Sequence, residues 1–145
     1  MVDLYNIYEA ADELENENAW RNTPYPLSEK DYVKIIVHSI KKLFVDINHP
    51  DYYDQTLFTT DEADTLFYDF DFNILQEEYI RIISNMRFLN LVLSDLSGDG
   101  AVSYTTNALS VTGAKEGYKS IQQELDTLER ERIRVFHKMM ARDEG

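Results

Sequence analysis

Residues 73 to 96, NILQEEYIRIISNMRFLNLVLSDL, constrain the fold more than any other stretch. Leu75, Tyr79, Ile82, Met86, Leu89, Leu93 and Leu96 recur at alternating steps of four and three, which places them on one stripe of an α-helix. Asn73 stands at the N-cap position, and Gln76 three residues later completes a capping-box pattern. At 1.5 Å per residue such a helix is about 35 Å long and needs a partner of similar length to cover it. Residues 114 to 141 supply one, because Ala114, Tyr118, Ile121, Leu125, Leu128, Val135 and Met139 keep the same rhythm, interrupted by the charged Arg132. The pattern predicts a mostly α fold, a helical bundle with two long antiparallel helices, with residues 97 to 113 connecting them at one end.

The remaining segments fill out one helical domain over residues 1–145. Residues 3 to 18 read as a first helix with a narrow apolar face of Leu4, Ile7, Tyr8, Ala11 and Leu14, the rest being loaded with acid. Repulsion between like charges at helical spacing makes this helix weak unless it docks on a neighbour or a basic partner, so residues 1–22 are expected to be mobile in isolation. The prolines of TPYP at 23 to 26 end it. Ser28 opens a second helix, with Asp31 three residues on and a Leu27 to Tyr32 staple across the cap. Its expected buried face is Val33, Ile36, Val37, Ile40, Phe44 and Ile47, with Lys30, Lys34, Lys41 and Lys42 largely opposite, and Asn48-His49-Pro50-Asp51 is the stop.

Residues 51 to 72 are rich in aromatics and acids and lack helical periodicity. Leu66, Tyr68, Phe70 and Phe72 alternate with Phe67, Asp69 and Asp71, which suits an extended segment with one sticky face, and residues 59 to 64 suit a turn back to an earlier piece at 55 to 58. Because interfaces enrich Tyr and Phe, the expected contact surface comprises Tyr52, Tyr53, Phe58, Phe67, Tyr68, Phe70 and Phe72. Val102 and Tyr104 join it from a short strand or hairpin expected near 101 to 112, with Gly113 marking entry to the last helix.

Charge is the strongest bulk signal. Residues 1 to 113 hold 7 basic and 20 acidic side chains, so the whole net charge of −13 precedes the last segment, which has 7 of each. Such a surface repels nucleic acid and anionic membranes, and favours solubility or basic partners. The chain has no cysteine, which removes disulfides and thiolate chemistry, and no run long enough to span a bilayer. A soluble protein without a secretion signal is expected.

Few residues suggest chemistry. Asp95, Ser97 and Asp99 occupy positions one, three and five of an EF-hand loop with Gly100 at six, but Thr106 stands where a bidentate glutamate is needed. Gly98 and Gly100 read first as a tight turn, and a calcium-dependent module is the third functional reading. Asp69, Asp71, Glu77 and Glu78 read as loop solvation and first-turn helix charges. His38, His49 and His137 have no ligand spacing, and no phosphate loop or hydrolase motif is present. An enzyme is not expected, nor is a metal or cofactor.

The order of parts, DFDFN, then LQEEYIRIISNMRFLNLVLSDL, then SYTTNALSVTG, then GYKSIQQELDTLERERIRVFHKMM, resembles the neck or head-tail connector proteins of tailed bacteriophages over roughly residues 65 to 141. The resemblance implies a structural virion component, mostly helical and without catalytic residues, that forms a ring of identical copies. It would sit in the virion neck after assembly in the bacterial host cytoplasm, touching portal and other neck or tail proteins but no membrane. An acidic surface suits DNA passing nearby without specific binding, since like charge denies phosphates their counterion-release gain. The alternative from charge alone is a soluble acidic DNA mimic that inhibits a host nucleic-acid-binding protein.

Overall fold

The computed structural model describes residues 5–18, 27–49, 53–62, 64–97 and 108–144. They form β1 (Tyr5–Asn6), α1 (Ile7–Glu17), α2 (Glu29–Asp46), a 3-10 turn (Gln55–Leu57), β2 (Phe58–Thr60), β3 (Leu66–Tyr68), α3 (Ile74–Ser97) and α4 (Ala108–Glu144). The fold is therefore mostly helical with a small antiparallel sheet, of strand order β1-β3-β2. The central helix is α3, against which α1, α2 and α4 all pack.

Each helix starts where local chemistry allows it. The Asn73 side chain accepts from the Gln76 amide at 2.8 Å, and the Gln76 side chain accepts from the Asn73 amide at 3.0 Å, so the two satisfy each other at the start of α3. Ser28 and Asp31 make the same reciprocal cap on α2. Asn6 caps α1 by accepting from the Glu9 amide at 2.9 Å. Replacing Asn73 with Ala should cost about 0.5 to 2 kcal/mol, read by urea denaturation. At the other end of α2, Asn48 takes a left-handed φ of 63°. The His49 amide then donates to the Phe44 carbonyl at 2.8 Å and the Asn48 amide to Val45 at 3.0 Å, closing the helix as a Schellman motif.

The long pair is antiparallel. Tyr79, early in α3, meets Arg132 and Phe136, late in α4, while Leu89 shares a cleft with Ser120 and Leu128. Tyr79, Ile82 and Leu89 of the predicted α3 stripe are buried, as are Ile121, Val135 and Met139 of α4. The α3 surface lost from solvent is wider than one stripe, because Ile80, Ile83, Phe88 and Val92 are buried too. Three neighbours cover a wide arc of α3, and Ile74, Glu77, Arg87 and Asn90 remain exposed on it.

Two expectations are corrected. On α2 the buried set includes Tyr32, Ile35, Ser39 and Leu43 beside Ile36, Ile40, Phe44 and Ile47, whereas Val33 and Val37 are only half-buried. This helix lies between α1 and α3, so its covered arc is broad and turned from the predicted one. The last helix begins at Ala108 rather than 114, so Gly113 lies within it and residues 108 to 112 are helical instead of extended. Residues 101 to 107, with Val102 and Tyr104, lie outside the described residues.

The acidic first helix docks. Ile7, Ala11 and Leu14 are buried against the bundle, whereas Tyr8 of the predicted face is 36% exposed. A polar latch fixes its C-terminal end: Asn18 Nδ2 donates to the Leu14 carbonyl at 2.8 Å and to Asn85 Oδ1 at 3.0 Å. Asn85 Nδ2 in turn donates to Glu17 at 2.9 Å.

Candidate interaction surfaces

The aromatic stretch folds inward. A hairpin pairs residues 58–60 with 66–68, Thr60 opposite Leu66 and Phe58 opposite Tyr68. This shifts the expected piece at 55 to 58, since residues 55–57 form a 3-10 turn and Thr59 and Thr60 are strand instead of turn. Asp61 holds the turn by accepting from the Thr65 amide at 3.0 Å, and Asp64 adopts a left-handed φ of 61°. On the other edge of β3, Tyr5 pairs with Tyr68 and Asn6 with Phe67.

Tyr68 is fully buried and Phe72 is 7% exposed, which corrects their assignment to a contact surface. Their rings lie 5.9 Å apart and belong to a cluster seated on Phe44 of α2, whose ring is 5.2 Å from Phe70. Tyr68 also meets Phe58 edge-on at 4.8 Å and stacks with Tyr53 at 6.4 Å. Such edge-to-face and offset pairs add about 0.5 to 1.5 kcal/mol each beyond area burial. Tyr53, Phe58, Phe67 and Phe70 are half-buried and present only part of each ring to solvent. Lys41 lies 5.9 Å over the Tyr53 ring, a cation–π contact that further ties this edge to α2. Tyr52 lies outside the described residues.

Among the described residues the large apolar side chains most open to solvent are aliphatic: Ile74 at 80% and Val45 at 54%, with Ile133 at 41%. Ile74 borders a groove of about 400 Å³ between α1 and α3, along which Glu9, Glu13, Glu17, Glu77 and Glu78 gather. Arg81 offsets one end of it, bridging Glu78 at 2.6 Å and Glu17 at 3.6 Å. The Arg81 hydrogen bond holds the Glu78 carboxyl below the usual glutamate range. At the other end partial burial, then repulsion from Glu13 and Asp71, raises Glu77. Burial, and behind it Glu77 and Glu13, likewise push the Tyr5 phenol up.

A group whose folded pKa is raised favours folding while it keeps its proton, and that contribution is lost as pH rises through the folded value. At neutral pH ionised Glu77 is thus a net cost. Glu77→Gln should raise folding stability slightly at pH 7, by no more than about a few tenths of a kcal/mol after solvent screening, read as a small rise in melting temperature. The gain should vanish near pH 4, and a destabilising substitution at pH 7 would contradict the repulsion.

On another side of the bundle, Tyr79, Asp46, Arg132 and Glu129 link α2, α3 and α4. The Tyr79 hydroxyl donates to Asp46 and accepts from Arg132 at 3.1 Å. Arg132 also grips Glu129 through two nitrogens, at 2.9 and 2.5 Å. This explains the one charged member of the α4 stripe, whose guanidinium is satisfied at the seam. Burial and the Asp46 carboxylate raise the Tyr79 phenol, which keeps its proton and stays a donor.

Asp95 and Ser97 lie in the last turns of α3, so the first positions of the EF-hand-like pattern are helical and cannot take up loop geometry; Asp99 lies outside the described residues. Among the described residues no helix is long and apolar enough to cross a membrane. No protein-family model matches the chain, and neither a curated protein nor a solved structure does.

Proposed function

We propose that this chain is a structural, non-enzymatic subunit of a tailed-phage neck, a head-tail connector component that assembles with copies of itself and with portal or tail proteins. The observation that supports this best is the layout. The DFDFN lead-in is anchored by Phe72 in the core and runs directly into capped α3, which forms with α4 the long antiparallel body expected of such a subunit. At 37 residues α4 exceeds the 24-residue α3 by 13, about 20 Å of helix. The exposed Ile74, Val45 and Ile133, rather than the aromatic cluster, are then the apolar contacts offered to adjacent subunits.

The acidic groove favours a second reading, a DNA mimic. Glu9, Glu13 and Glu17 form an i,i+4 row on α1 and face Glu77 and Glu78 of α3, so carboxylates line both walls. Sedimentation of the purified protein separates the two. A connector subunit forms a discrete ring or joins a purified portal, whereas a mimic stays monomeric and binds basic nucleic-acid enzymes with an affinity that collapses with salt. A monomer that ignores portal and binds such an enzyme would overturn the connector reading.

A further inference from the structure

We propose that the cleft between α2, α3 and α4 binds a phosphate-bearing small molecule, with Lys42, Arg87 and His38 as the donors. The cleft encloses about 620 Å³, within the range of small-molecule sites, and Met86 and Ile83 supply an apolar wall beside the polar groups.

The donors exceed the acceptors available to them. Two carboxylates, Asp46 and Glu129, line the cleft, and both are occupied. Asp46 accepts from the Tyr79 hydroxyl and from Lys42 at 3.4 Å, while Glu129 is held by Arg132. Among the described residues neither Arg87 nor His38 has a carboxylate partner. Asn90 adds an amide to the same wall. Lys42 uses one of three ammonium protons on Asp46 and keeps others to offer.

This excess of positive charge stands out in a chain of net charge −13. It continues along α2, where Lys30, Lys34, His38, Lys41 and Lys42 occupy the exposed face. The acidic groove between α1 and α3 shares no lining residue with the cleft. Partial burial, then Arg87, Lys42 and Lys41, hold the His38 imidazole below its ordinary value. A phosphate bridging α2 and α3 offers several acceptor oxygens to donors of different geometry and relieves that crowding. Guanidinium and ammonium together are a common pair for it.

The three histidines make the test internal. Imidazole NMR resonances are followed while pyrophosphate, ADP or glutarate is added to the full chain, with potassium chloride matched for ionic strength. Arg87 of α3 and Lys42 and Lys41 of α2 act on His38, and Asp46 of α2 and Glu129 and Arg132 of α4 line the same cleft. An added anion favours the imidazolium, so the His38 midpoint should rise saturably while His49 and His137 stay still. Arg87→Gln, an exposed change, should weaken binding at least tenfold, and Lys42→Gln should do the same. Binding of pyrophosphate or ADP supports the site, and tighter binding of ADP identifies a phosphate ester as the source. Equal shifts at all three histidines, equal shifts in chloride, glutarate binding as tightly as pyrophosphate, or full affinity in Arg87→Gln would overturn it.

Discussion

Tyr68→Ala is expected to cost about 3 to 5 kcal/mol of folding stability, the usual range for deleting a large buried ring. Tyr68 is fully buried in the middle strand, so truncation leaves a cavity bounded by Phe44, Phe58, Phe70, Phe72 and Tyr53. The walls of that cavity come from α2, β2 and the segment entering α3, which cannot all close on it together. Domain stabilities of about 5 to 15 kcal/mol put such a loss near the limit of folding. Tyr68→Phe should be far milder, about 0.5 to 1.5 kcal/mol, because it removes only the hydroxyl that accepts from the Asp54 amide at 3.3 Å. Urea denaturation of the two variants distinguishes a core ring from a surface one. A cost for Tyr68→Ala under 1 kcal/mol would return the ring to the surface and make it available to a neighbouring subunit.

Leu89→Ala should cost about 2 to 5 kcal/mol, because Leu89 is 1% exposed at the α3–α4 seam. Two rigid helices of this length cannot close locally around one missing side chain. Leu125→Ala, on the facing helix, should cost less, about 1 to 2 kcal/mol, since Leu125 is half-buried and less apolar area returns to water. Chemical denaturation again gives both numbers. Equal and negligible costs would remove the antiparallel pair as the source of stability.

Local chemistry explains why parts of this fold were legible in the amino-acid sequence. Asn73 with Gln76, Ser28 with Asp31, and the Asn48-His49 stop are contacts between residues at most a few positions apart, so spacing alone reveals them. The later strand of the hairpin was readable from the alternation that starts at Leu66, whereas its partner was placed at 55 to 58 and lies at 58–60. Matching length and rhythm also paired the two long helices, but which distant residues cover a given apolar face was not legible. Alternation through Tyr68, Phe70 and Phe72 shows that one face is apolar, but not that Phe44, more than 20 residues earlier, covers it instead of another chain. β1 carries no periodic signal in two residues and exists because Tyr5 and Asn6 reach the free edge of β3. The face of α2 was turned because a single stripe assumes one neighbour, and α2 has two.

The candidate site divides in the same way. The acids of α1 were visible in sequence, yet their alignment opposite Glu77 and Glu78 is tertiary. The cationic cleft draws on α2, α3 and α4, where Lys42, Arg87 and Arg132 stand 45 residues apart in each step. Nothing in their spacing marks them as neighbours. The Lys30, Lys34, His38 and Lys42 stripe was the available clue, and it reads equally as an ordinary solvated helix face.

Quantitative mass spectrometry of density-purified phage particles, from the host that carries this chain, tests the proposed role most directly. A head-tail connector subunit should be present at a fixed number of copies per particle, close to the copy number of the portal, and should survive a high-salt wash. Its absence from purified particles, with abundant protein left in the soluble lysate, would contradict a place in the neck and leave the acidic groove of α1 and α3 as the surface to pursue.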